Sequence, residues 1–291
     1  MINNEFLLQD RIQKIKQVIE KYCEENFYIS FSGGKDSTVL HYLIDLAIPN
    51  NKIPRVYANT GIDLNMIRDF VVDLQKNDNR FVILKPTTPI KPTLEKNGYP
   101  FKSKIHSRCV YLFQNDPAKK MWQGYIGKRP EHWHTTECPK KLLYQFTNDF
   151  KLKISDKCCE KMKEEPLLKW AFENNKMISI IGLMRDEGGR RTKSNCLVFN
   201  GKKLKRFQPL APITKEWENW FIDKYNIKIC DIYKPPYNFD RTGCKGCPFG
   251  INLQKELDIL EKYFPNERKQ CEYIWKPVYD EYRRLNYRLK N

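Results

Sequence analysis

The chain has 291 residues, 41% hydrophobic and 30% charged, a balance that suits an ordered globular protein with one large domain and a smaller appendage. Its 52 basic and 35 acidic residues leave a net charge of +17, which either attracts polyanions such as nucleotides and nucleic acid or reflects a lysine-rich solvated surface. No apolar run reaches the roughly 18 residues of a membrane span, and Met1-Ile2-Asn3-Asn4-Glu5 lacks the marks of a secretory signal; a soluble, cytoplasmic protein with no membrane partner is expected, and a disulfide framework is not.

Leu8, Ile12, Ile15, Val18, Ile19 and Tyr22 recur at helical spacing and predict an amphipathic helix over residues 6–25. A β-type run, Phe27-Tyr28-Ile29-Ser30-Phe31, leads into the turn Ser32-Gly33-Gly34-Lys35-Asp36-Ser37, and a helix is expected from Thr38 to Ile44. Strand, glycine turn and helix make the first half of a βαβ unit. Further strands are predicted at 55–59, 80–84 and 177–182, with a helix over 65–76. The alternation implies an α/β fold with a doubly wound, mostly parallel sheet and ligands at the carboxyl ends of its strands.

Residues 85–157 break that rhythm. They hold Pro86, Pro89, Pro92, Pro100, Pro117, Pro130 and Pro139, with 15 basic and 6 acidic side chains, about half of the excess charge. This stretch reads as a basic, Pro- and aromatic-rich insertion over the active-site face of a nucleotide-binding domain spanning 1–250. Residues 251–291 read as a helical C-terminal extension.

The glycine pair lets the backbone turn sharply and brings amide N–H groups close to an anion. The helix start adds positive potential, and Ser32 and Ser37 add hydroxyl donors. Lys35 supplies a charge, and Asp36 is placed to hold a magnesium ion or to cap the helix. The spacing is not that of a Walker A loop.

Among the ten cysteines, Cys158-Cys159 and Cys244-Lys245-Gly246-Cys247 stand out. A C-x-x-C sets two thiolates on one concave turn, and two such halves suit either zinc or an iron–sulfur cluster. Cys23, Cys109, Cys196, Cys230 and Cys271 read as packing residues, and Cys138 stays open for chemistry. After the fourth strand, Gly182-Leu183-Met184-Arg185-Asp186-Glu187-Gly188-Gly189-Arg190-Arg191 combines guanidinium groups with glycines, a pattern suited to phosphate or sulfate. His106, His132 and His134 read as surface histidines. They share the insertion with Trp122 and Trp133, aromatics that among lysines suit single-stranded nucleic acid.

The Ser32–Ser37 segment resembles the PP-loop of the adenine-nucleotide α-hydrolase superfamily, whose members cleave ATP between its α and β phosphates. Asn59-Thr60-Gly61-Ile62-Asp63 resembles the element after strand two in the phosphoadenosine phosphosulfate (PAPS) reductase family, which lies beside the nucleotide. Lys157-Cys158-Cys159 through Pro166-Leu167 is similar to the cluster-binding signature of adenylyl sulfate reductases, with Met162 in place of its arginine and Lys163 keeping its lysine. Arg241-Thr242-Gly243-Cys244 and Cys247-Pro248-Phe249-Gly250 resemble the C-x-x-C of phage- and mobile-element-type members. The Arg185 segment looks like the family's "GxRxxES…R", with Gly188 departing from the serine, and Pro209-Leu210 with Trp217 fits its "PL…W".

The resemblance spans about residues 27–265. It implies a nucleotide site of Ser32, Gly33, Gly34, Lys35, Asp36, Ser37, Asn59, Thr60, Gly61, Arg185, Glu187 and Arg190, with Lys35, Asp36 and Arg185 catalytic. It favours a [4Fe–4S] cluster on Cys158, Cys159, Cys244 and Cys247 over zinc. ATP, or PAPS or adenylyl sulfate, and Mg²⁺ complete the cofactors. The implied partners are DNA or tRNA, a sulfur-donor protein and a second copy of the chain. The intact PP-loop implies ATP pyrophosphatase chemistry that activates an acceptor for sulfur insertion. A sulfonucleotide reductase is the alternative, although the family's C-terminal Glu-Cys-Gly-Leu-His has no counterpart after Cys271. A nucleotide- or nucleic-acid-binding regulator is the third reading.

Overall fold

The computed structural model describes residues 4–129, 137–187 and 192–290. In chain order they form α1 (Asn4–Tyr22), β1 (Phe27–Phe31), α2 (Lys35–Ala47), β2 (Arg55–Ala58), α3 (Asn65–Asn77), β3 (Phe81–Leu84), α4 (Ile90–Asn97), α5 (Lys104–Asn115), α6 (Lys120–Tyr125) and α7 (Lys157–Cys159). A π-helical turn (Glu160–Glu164) leads into α8 (Glu165–Glu173), followed by β4 (Ile178–Ile180), β5 (Leu197–Asn200), β6 (Lys203–Phe207), α9 (Lys215–Lys224), α10 (Leu253–Tyr263) and α11 (Pro265–Arg284). Two units emerge: residues 1–59, 65–85 and 166–242 form the first, and 60–64, 86–165 and 243–291 the second.

The first unit carries one six-stranded sheet in the order β3-β2-β1-β4-β6-β5. Its strands pair in parallel except β5 with β6, and helices cover both faces, so the doubly wound α/β expectation is met. Burial on both faces explains the continuous apolar runs: Phe27, Tyr28, Ile29 and Phe31 of β1 are all buried, as is the whole of β2. The chain moves outward from β1 to β2 and β3, then returns to place β4 on the other side of β1. That reversal opens a crevice at the carboxyl ends of β1 and β4, where α/β sheets bind ligands.

One buried charge network braces this sheet. Arg55, fully buried, donates from Nε to His41 Nδ1 at 3.0 Å and pairs with Asp45, which also binds Arg80 at 2.8 Å. Burial first, then the Arg55 guanidinium, push the His41 pKa down to about 4.

The second unit builds its own aromatic core. His106 and Trp122 are buried in it, which corrects the surface reading of His106. His106 bonds Tyr125 OH through Nδ1 at 3.0 Å and Gln145 Oε1 through Nε2 at 2.8 Å, with Phe101 and Phe146 packed around the ring. Burial holds its pKa at about 4. His132, Trp133 and His134 lie outside the described residues. Cys109, Cys230 and Cys271 are buried as expected, but Cys23 is exposed at the start of a short turn, so packing does not account for it. Among the described residues, no helix is long and apolar enough to cross a membrane.

Candidate functional site

β1 ends at Phe31, and the chain reverses through Ser32 and Gly33 into α2, which Gly34 caps. Gly33 has φ +71°, and a Cβ there would meet Ile67 Cγ2 at 2.8 Å and Val71 Cγ2 at 2.9 Å, so conformation and space both require glycine. The two serines lock the loop. Ser32 Oγ and Ser37 Oγ lie 3.0 Å apart, Ser37 donates to the Gly34 carbonyl at 2.9 Å, and Gly34 N–H donates to Ser32 Oγ at 3.3 Å.

Two cavities meet at this loop, both within the first unit. The smaller, about 270 Å³, is lined by Ser32, Gly34, Ser37, Tyr233, Arg241 and Thr242 among others. Tyr233 OH bonds Thr242 Oγ1, and burial raises the phenol's pKa. The larger, about 530 Å³, is reached by Lys35 and Asp36 and bordered by Glu218, Asp223, Asp240 and Arg241.

Glu218 is the residue that sequence reasoning missed. It lies on α9, next to the core residue Trp217, and its side chain is 0% exposed. Lys35 Nζ stands 2.9 Å from its Oε2, yet neither carboxylate oxygen accepts a well-directed hydrogen bond. Burial first, then the charge of Asp36, raise its pKa to about 7. An acid on the inward face of an amphipathic helix was the available signal, since buried carboxylates near a loop of this kind mark functional sites.

Of the other expected residues, Asn59 follows β2 and its N–H donates to Leu84 O at 2.9 Å. Arg185 is exposed, begins a short 3₁₀ turn that ends at Glu187, and donates to the Ser194 carbonyl at 2.7 Å. Arg190 lies outside the described residues.

Thr60 and Gly61 belong to the second unit, where they accompany the cysteines. Asp63 bridges Cys244, and Lys245 N–H donates to Ile62 O at 2.8 Å. Thr60 Oγ1 lies 3.9 Å from Cys244 Sγ and 3.0 Å from Asp63 Oδ2. The adjacent thiols act on each other, so that Cys158 is pushed up and Cys159 pulled down. Burial raises Cys244 and Cys247. Lys163, 3.9 Å from Asp63, is raised by Cys244 above all, then by Asp63, Cys159 and Cys247.

The four thiols therefore sense one another around one lysine, and this donor set fits a four-thiolate group in chemical kind. Among the described residues, no three His, Cys, Asp or Glu side chains adopt a metal-holding arrangement. The C-x-x-C turn is held from α11: Trp275 Nε1 donates to Lys245 O at 3.0 Å, Tyr279 OH to Gly246 O, and Tyr282 OH to Pro248 O at 2.8 Å. Gly246, at φ +59°, admits no side chain, because a Cβ would lie 2.4 Å from Tyr279 OH.

The phosphoadenosine phosphosulfate reductase domain family model matches residues 26–133 and 128–249. No curated protein matches the chain. Among solved structures, the phosphate complex of PAPS reductase from Candida auris is 11% identical, covering 71% of this chain and 76% of its own, with TM-score 0.41. The NH3-dependent NAD synthetase from Campylobacter jejuni is 11% identical over 95% of both chains, TM-score 0.43. The U34-tRNA thiolase NcsA from Methanococcus maripaludis, solved with its [4Fe-4S] cluster, is 17% identical over 97% of this chain and 80% of its own, TM-score 0.42. Likeness at this level carries no argument about substrate.

Proposed function

The chain belongs to the phosphoadenosine phosphosulfate reductase domain family, and from that premise we propose that it is a PP-loop enzyme that cleaves ATP to AMP and pyrophosphate, activating an acceptor for sulfur insertion. The observation that carries this reading is the loop itself: an intact Ser-Gly-Gly-Lys-Asp-Ser turn, locked by its serines, facing a cavity of about 270 Å³ walled by Tyr233, Arg241 and Thr242.

In this reading the loop amides, Ser32, Ser37 and Lys35 bind the β and γ phosphates, as anion sites at helix starts do. A nucleophilic atom of the acceptor attacks the α phosphorus, and the bond from that phosphorus to the α–β bridging oxygen breaks. Pyrophosphate leaves with the bond's electron pair, and the acceptor carries AMP. Arg185 stabilises charge on the α phosphate, and Asn59, Glu187 and Arg190 complete nucleotide recognition. Asp36 would hold the magnesium ion that accompanies ATP. The net charge of +17 supports DNA or tRNA as the acceptor.

Cys158, Cys159, Cys244 and Cys247 would hold a [4Fe–4S] cluster, with zinc as the other four-thiolate choice. When bound, a cluster supplies a place to hold or pass sulfur. Lys163 and Lys104 favour the thiolate of Cys159 there. The sulfonucleotide reductase reading needs a reactive, accessible thiolate. Cys271 does not meet that need: it is fully buried, and burial pushes it up to about 12.

The test is pyrophosphate release from ATP with and without DNA or tRNA, together with iron and sulfide analysis after anaerobic purification. Nucleic-acid-stimulated release that Asp36→Ala abolishes without altering the circular dichroism spectrum is expected. Thiol-dependent sulfite release from PAPS or adenylyl sulfate, without ATP cleavage, would overturn the proposal.

A further inference from the structure

Lys35 cannot serve two anions at once. In this structure its ammonium belongs to Glu218, at 2.9 Å from Oε2, and also donates to Asn219 Oδ1 at 3.3 Å. Glu218 has no solvent to fall back on. Its side chain is 0% exposed, and neither oxygen accepts a directed hydrogen bond from any protein group. Asp36 places a second carboxylate beside it, and both line the cavity of about 530 Å³.

The pyrophosphatase reading, on which this inference rests, has Lys35 bind phosphate oxygens. Drawing the ammonium away would leave the buried Glu218 carboxylate, which stands beside that of Asp36, without the cation it now pairs with. Removing one partner of a buried ion pair is strongly unfavourable because the remaining charge stays desolvated. A small hard divalent cation repairs the deficit: it prefers carboxylate oxygens, keeps several waters and arrives with the polyphosphate.

We propose that Glu218 is a cation-exchange residue of the PP-loop: it holds Lys35 until a polyphosphate claims the ammonium, and a divalent cation then takes the place of Lys35 on Glu218, with Asp36 as the neighbouring carboxylate. Metal dependence of polyphosphate binding thus has two sources, the charge of the ligand and the buried carboxylate that would otherwise hold Lys35. Glu218→Gln removes only the second, since the amide keeps the shape and drops the charge. Lys35→Met does the reverse and opens both carboxylates to metal before any phosphate binds.

The experiment titrates the wild type and both variants with pyrophosphate, by calorimetry in EDTA and in Mn²⁺, and follows Mn²⁺ binding by electron paramagnetic resonance. Circular dichroism checks the fold. In EDTA, Glu218→Gln should bind pyrophosphate about tenfold more tightly than the wild type, because Lys35 is released. Its gain from Mn²⁺ should be about tenfold smaller. Lys35→Met should bind Mn²⁺ about tenfold more tightly without any anion.

A folded Glu218→Gln variant that weakens binding equally in EDTA and Mn²⁺, or keeps the full Mn²⁺ gain, overturns the exchange while leaving the PP-loop reading intact. Unchanged Mn²⁺ affinity in Lys35→Met also overturns it. If the wild type binds neither pyrophosphate nor ATP, the PP-loop reading falls and the exchange falls with it.

Discussion

Replacing Lys245 by methionine should destabilise the cysteine-bearing unit by about 3–5 kcal/mol, while replacing its partner as well should restore most of the loss. Lys245 sits inside the C-x-x-C turn, and its ammonium lies 2.9 Å from Glu267 Oε2, with the two side chains 2% and 5% exposed. Burial at this level removes the screening that makes surface pairs weak. The single variant takes from a buried carboxylate the ammonium that lies 2.9 Å from it. The double variant Lys245→Met with Glu267→Met fills similar volume with apolar atoms, and such replacements range from neutral to stabilising by about 1–4 kcal/mol.

Trp275 reports the event directly: it is buried, and its Nε1 donates to the Lys245 carbonyl. With a urea m-value of about 2 kcal/mol/M, the single variant's midpoint by tryptophan fluorescence should fall by about 2 M, and the double variant should recover most of that. Equal losses in the single and double variants would refute the reasoning, since the cost would then lie in packing of the turn and not in the stranded charge.

Two further outcomes follow from other residues. His41 and His106 each have a folded pKa of about 4 against an unfolded value of 6.5. Their contribution to stability is complete above pH 6.5 and falls as protons bind the unfolded chain first. Between pH 7 and pH 5 each should cost about 2 kcal/mol, read from urea unfolding at the two pH values. His106→Gln should remove its share of that slope, and an unchanged slope would discount the burial argument. Gly33→Ala combines a positive φ with two contacts below 3.0 Å, so about 2–5 kcal/mol of strain and repacking is expected. Loss of pyrophosphate binding should accompany it in calorimetry; wild-type stability and binding in this variant would show that the loop tolerates a side chain.

The interior strands β1, β2 and β4 were legible because burial on both faces leaves runs dominated by apolar residues, as at Phe27–Phe31, and β3 at the sheet edge still reads from Phe81-Val82-Ile83-Leu84. The β5–β6 hairpin was not read, although Asn200-Gly201 is a hairpin signal and Asn200 pairs with Lys203 across the turn. β5 is a four-residue edge strand with Phe199 and Asn200 exposed, and β6 sets exposed Lys203, Lys205 and Arg206 among only two buried residues, so neither carries the run that marks the other strands. The basic insertion misled for a different reason. A charge count averages over all faces of a segment, whereas α5 sends His106 and Cys109 inward and exposes Arg108.

The candidate site divides along the same physical line. Ser32–Ser37 could be read because a loop of the phosphate-cradle type is local: its donor groups come from one turn, and glycine is needed where Gly33 takes φ +71°. Glu218 could not be read that way, because its meaning depends on which face of α9 it occupies and on Lys35, 183 positions earlier. The same holds for Lys245 and Glu267, 22 residues apart. Each unit thus sets a lysine against a buried glutamate, Lys35 on Glu218 in the first and Lys245 on Glu267 in the second. A buried pair of this kind is an expensive way to gain stability. Its value lies in fixing where a cation stands, and under the proposed function the cation held in the Ser32–Ser37 loop, Lys35, is the one a nucleotide would recruit.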